Sequence, residues 1–78
     1  MNNYSNPQNF TPSYREVSVY AYDLAYTFDN LKFHRWYCGV VYQFGIDQVE
    51  AWREKALKGD NPGRLFSTLV KGARNPNN

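Results

Sequence analysis

The sequence predicts an all-α fold, a compact bundle of about four short helices spanning residues 14–28, 31–44, 48–58 and 62–72. Three observations carry this. Helix-start signals stand at Ser13, Asp47 and Asn61-Pro62; Gly and Asp punctuate the chain between them; and the apolar residues recur at helical spacing.

The first helix opens on Ser13-Tyr14-Arg15-Glu16, a capping-box pattern in which Ser13 accepts from the third helical residue and Glu16 reaches back. Tyr14, Val17, Ala21, Leu24 and Phe28 then follow at steps of three and four, which puts them on one face. Val19, Tyr22 and Tyr26 form a second apolar stripe, so the helix is buried on two sides or docks a partner with one of them. Val17 to Tyr22 also suits a strand by propensity. The cap and the long stripe favour helix.

Asp29-Asn30 is the next break and a possible N-cap. Phe33, Trp36, Tyr37, Val40, Val41 and Phe44 make a broad helical stripe, although Trp36 to Tyr42 has strand-like content. Gly39 weakens a helix there by about 1 kcal/mol, and a hairpin with the preceding segment is the alternative. Gly45 suits a helix terminator. Asp47 then reads as a cap with Glu50 three residues on, Ile46 stapling onto Ala51, and Val49, Trp52 and Ala56 facing inward. Gly59-Asp60 ends this helix. Asn61 caps the last one with Pro62 at its first position, and Leu65, Phe66, Leu69, Val70 and Ala73 form its apolar face.

Seventy-eight residues allow one domain. Residues 1–12 read as a disordered, Asn-rich N-terminal arm, 13–74 as a single helical domain, and 75–78 as a disordered polar tail. A core this small needs large side chains, and the many Tyr, Phe and Trp residues supply them. Cys38 is the lone cysteine, so no internal disulfide forms; nothing resembles a signal peptide or a membrane span. The expectation is a cytoplasmic protein without membrane attachment.

The chain carries a net charge of +2, unevenly spread. Residues 1–29 hold one base, Arg15, against three acids, whereas residues 30–78 hold eight bases against four acids. Such asymmetry suits nucleic acid or an acidic protein surface.

No catalytic set emerges, and no cofactor or metal site is expected. His34, the only histidine, lacks a metal-ligand partner at useful spacing. Cys38 reads as a packing residue. Asp47 and Glu50 are explained by capping. Gly59, Gly63 and Gly72 form no phosphate-binding loop. A non-enzymatic binding protein is expected.

Two surfaces could do the binding. Arg64, Thr68 and Lys71 share one face of the last helix, with Ser67 and Arg74 beside it and Lys58 just upstream. Arg and Lys contact phosphates, and Arg, Ser and Thr also reach base edges, so this set is a candidate DNA contact. The preceding helix, the Gly-containing turn and this helix have a helix-turn-helix-like outline. Alternatively the face is merely the solvated side of an amphipathic helix. The second surface is Tyr-rich: Tyr20, Tyr22, Tyr26, Tyr37 and Tyr42 exceed what so small a core can bury with every hydroxyl satisfied. Tyr20, Tyr22, Tyr26 and Tyr37 are therefore candidates for protein–protein interaction, as an adaptor, an inhibitor or a homodimer.

The stretch from Gly45 to Ala73 resembles the helical segment of some plasmid replication initiators and DnaD-like replication proteins. There a helix is followed by Asn-Pro, an aromatic and further helical residues, positions matched here by Asn61, Pro62, Phe66 and Leu69. This resemblance covers somewhat over a third of the chain. It implies an accessory role beside DNA, in replication or its control, and supplies no catalytic residue.

Overall fold

The computed structural model describes residues 13–75. The arm expected over 1–12 and residues 76–78 of the expected tail lie outside the described residues. Four helices make the fold: α1 (Tyr14–Thr27), α2 (His34–Phe44), α3 (Ile46–Leu57) and α4 (Pro62–Arg74), with a short 3-10 helix at Leu31–Phe33 before α2. No strand occurs among the described residues, so the helical alternative holds throughout 14–44.

The expected capping box starts α1. Glu16 donates its backbone N–H to Ser13 Oγ at 3.1 Å, and the Ser13 backbone N–H reaches Glu16 Oε1 at 3.0 Å. Val17, Ala21, Leu24 and Ala25 are buried on its inner face. The helix ends in two nested backbone hydrogen bonds, Asn30 N–H to the Ala25 carbonyl at 2.7 Å and Asp29 N–H to that of Tyr26 at 3.0 Å. This is the Schellman arrangement, which needs a left-handed residue between the two donors' carbonyl partners and the next segment. Asp29 fills that position with φ at 57°. Asn30 sits at the cap position of the 3-10 helix without a side-chain capping bond, and donates instead to Tyr37 Oη at 3.1 Å.

Helix α2 buries Tyr37, Val40 and Val41 and carries Gly39 on its exposed side, where a side chain would meet open space. Gly45 closes it with φ at 87°, its N–H bonding the Val41 carbonyl at 2.8 Å. The start of α3 differs from the expected capping box. Gly45 itself holds the cap position and its carbonyl accepts from the Val49 N–H at 3.1 Å, so the helix begins two residues early. Asp47 therefore lies in the first turn, where its charge still complements the helix N-terminus. Ile46 packs against the core while Ala51 is exposed, so the staple does not form. Glu50 is used elsewhere, accepting from the Tyr20 hydroxyl of α1.

Asn61 caps α4 as expected, its Oδ1 accepting from the Arg64 N–H at 3.3 Å with Pro62 leading the first turn. The core gathers around Phe66, fully buried, with the rings of Phe28 and Tyr37 centred 5.0 and 5.8 Å away. Trp36 and Trp52 meet it edge-on from either side at 6.4 and 6.5 Å. One aromatic residue of the last helix thus ties α4 to all three other helices. Gly63 lets the first turn of α4 approach closely: a Cβ there would lie 3.1 Å from Asn30 Nδ2 and 3.6 Å from Phe28 Cβ.

Candidate nucleic-acid interface

The helices divide by charge. Helix α1 carries Arg15 against Glu16 and Asp23, and α3 carries Arg53 and Lys55 against Asp47, Glu50 and Glu54. By contrast, α2 with its 3-10 helix and α4 contain no acidic residue at all. The first of these carries Lys32 and Arg35, the second Arg64, Lys71 and Arg74.

Helix α2 packs chiefly on α1 and α3, and α4 on α3, but side chains bridge the two acid-free segments. Trp36, half-buried on the flank of α2, packs edge-on against Phe66 of α4. Arg74 spans the junction: its Nε donates to Gln43 Oε1 at 2.8 Å, and its guanidinium lies over the Trp36 ring at 5.9 Å. On the other edge, the Lys32 ammonium lies over the Phe33 ring at 5.3 Å. The two rings share a pocket of about 290 Å³ lined by Asn30, Phe33, Trp36, Tyr37, Ser67 and Lys71. Its floor is fixed, because Tyr37 is buried and its hydroxyl accepts from Asn30. Burial pushes the Tyr37 phenol above its ordinary value, partly countered by that hydrogen bond.

The structure therefore splits the set expected to contact DNA. Ser67, Lys71 and Arg74 border the α2–α4 groove. Arg64 and Thr68 line a second hollow of about 230 Å³ at the start of α4, shared with the acidic Asp60. Lys58 is exposed at the C-cap of α3, two residues before that same Asp60. The sequence did not point to Asn30, Phe33 and Trp36 as pocket-lining residues, or to Lys32 beside Phe33. A signal was present: the run from Asn30 to Ile46 is acid-free, but a charge tally by halves averages it with α3.

The Tyr-rich set is divided as well. Tyr22 and Tyr26 are 53% and 67% exposed and line up with Val19 on the outer side of α1. Tyr42 is exposed on α2. The expectation for Tyr37 is corrected: it is 2% exposed because its ring faces the core beside Phe66 and Phe28. Tyr20 is half-buried and committed to Glu50.

His34 and Cys38 meet one turn apart on α2. The His34 Nε2 lies 2.9 Å from the Ser18 carbonyl, so it carries the proton and donates, and Cys38 Sγ is 3.6 Å from the same nitrogen. The edge of Tyr22 covers the imidazole at 5.7 Å between ring centres. A nitrogen held as a donor to a backbone carbonyl does not deprotonate the thiol, and this pair serves to join α1 to α2. Among the described residues no three His, Cys, Asp or Glu side chains come together as a metal site. No helix among them is long and apolar enough to cross a membrane.

No protein-family profile matches the chain, and comparison with characterised proteins and with solved structures finds no significant match. The functional reading rests on the chain's own chemistry.

Proposed function

We propose that this chain is a small, non-enzymatic nucleic-acid-binding protein that works through the groove between α2 and α4. The observation that carries the reading is the pocket between two acid-free segments, lined by Lys71 and by two rings, Phe33 and Trp36, that Lys32 and Arg74 lie over. A phosphate backbone approaching this face meets cations and no carboxylate from either segment. Phosphate neutralisation with release of counterions is the largest sequence-independent source of affinity in such complexes. Arg64 and Thr68 extend the contact along α4, at a cost set by Asp60. A cytoplasmic accessory role beside DNA, as the resemblance of residues 45–73 to replication proteins implies, is part of the same proposal.

A second reading has its own observation. Val19, Tyr22 and Tyr26 form an exposed stripe on α1, opposite the buried face of that helix. Exposed Tyr in such a stripe suits an adaptor or inhibitor that docks a protein. The two readings separate by mutation. Lys71→Ala with Arg74→Ala should weaken binding to a fluorescent oligonucleotide and flatten its salt dependence by roughly 0.7–0.9 in log–log slope per lost phosphate contact. Tyr22→Ala with Tyr26→Ala should leave that binding unchanged. No oligonucleotide binding by the native chain, with a protein complex lost in the Tyr22→Ala, Tyr26→Ala variant and kept in the Lys71→Ala, Arg74→Ala variant, favours the adaptor.

A further inference from the structure

We infer that the pocket between the 3-10 helix, α2 and α4 receives one unpaired nucleobase, so that the preferred ligand is single-stranded. This deepens the proposed function and rests on it.

The first argument is the lining. Phe33 lines the pocket and is 50% exposed, so its ring is within reach of a ligand. Trp36, one turn on, offers a half-buried indole to the same pocket. Aromatic side chains of this kind are the platforms on which unpaired bases stack, and the interaction is tolerant of sequence because every base has a π face. Bases within a duplex present only their edges in the grooves, with their faces covered by neighbouring pairs. A pocket that offers rings reads faces.

Charge supplies the second argument. Lys32 and Arg74 lie over the rings of Phe33 and Trp36, and Lys71 lines the pocket itself. One cation thus lines the pocket and two more are held against rings that line it, close to where the phosphates flanking an inserted base would run. Size gives the third. About 290 Å³ lies at the lower end of the roughly 300–1,000 Å³ typical of small-ligand pockets, enough for one ring system.

Polar groups complete it. Ser67 brings a hydroxyl to the pocket, and Asn30 spends one of its amide N–H groups on Tyr37, keeping the other N–H and the carbonyl for a base edge. The close approach of Gly63 to Asn30 positions that amide.

The test uses the full chain with Trp52→Phe, which leaves Trp36 as the sole tryptophan. Labelled oligothymidylate of about ten nucleotides and a duplex of the same length are titrated at low and moderate salt. The single strand should bind at least about tenfold more tightly than the duplex and quench Trp36 emission. Phe33→Ala, at an exposed position, should weaken single-strand binding about tenfold and leave the duplex affinity in place. Salt-dependent binding of equal strength to both probes, with Trp36 emission and the Phe33→Ala variant unchanged, overturns the base pocket while sparing the groove. Failure of both probes to bind overturns the groove and the pocket together.

Discussion

Tyr20 shows how one side chain can join two helices that have no local reason to meet. Its hydroxyl donates to Glu50, linking the middle of α1 to the first half of α3. Burial, then the hydrogen bond to Glu50 and that residue's charge, push the phenol well above its ordinary value. An unfolded tyrosine ionises near pH 10. The preference for the neutral phenol is therefore fully satisfied below about pH 10, and stability is lost as pH rises from there through the folded value. Tyr37 pushes the same way. Tyr20→Phe should cost about 1.5 kcal/mol at neutral pH, the low end for a hydrogen bond to a charged group because Glu50 is only half-buried. It should also make denaturation midpoints fall less steeply above about pH 10. Urea titrations at neutral and alkaline pH measure both.

Asp29 is the opposite case, a residue ill suited to its place. It holds φ at 57°, a conformation that disfavours side chains with a Cβ, and sets a negative charge at the C-terminal end of α1. Asp29→Gly removes both penalties and should raise stability by about 0.5–1 kcal/mol, read as a higher thermal midpoint. An unchanged or lower midpoint means that the Asp29 side chain makes a compensating interaction.

At the scale of elements, what could be read from sequence was what is decided locally. The caps of α1 and α4 lie within four residues of their partners, and Ser13, Glu16, Asn61 and Pro62 act as their spacing predicts. The apolar stripes of both helices bury Val17, Ala21, Leu24, Phe28, Phe66 and Val70, whereas Tyr14 and Ala73 at their outer ends are exposed, beyond the reach of the neighbouring helices. The start of α3 misled because its pattern is ambiguous: Glu50 has capping-box spacing from Asp47, yet a hydroxyl 30 residues away competes for it. Nothing local reveals that competitor. Tyr37 misled for a related reason. Five tyrosines were too many to bury, but which would be inside depended on Asn30, whose amide satisfies the one hydroxyl that is.

Over the whole molecule the same distinction decides how visible the site was. The cations of α4 stand out in the sequence, whereas the groove exists only because α2 lies beside α4. Phe66 and Trp36 make that contact, and Arg74 and Gln43 add a hydrogen bond between the same two helices. The result is a molecule whose α1 and α3 each carry a net negative charge and whose α2 and α4 carry only cations. A net charge of +2 is too small to steer ligands by itself, so any selectivity for nucleic acid must come from where the cations lie. This gives a comparison in which total charge is held constant.

Two double variants serve: Lys71→Gln with Arg74→Gln on α4, and Arg53→Gln with Lys55→Gln on α3. Each removes two positive charges. The measurement is the affinity for a labelled oligonucleotide as a function of salt. If the α2–α4 groove is the interface, the α4 pair lowers both affinity and salt slope, and the α3 pair changes the slope by less than the roughly 0.7 expected for one lost contact. Equal losses in both pairs, or no loss in either, would contradict it.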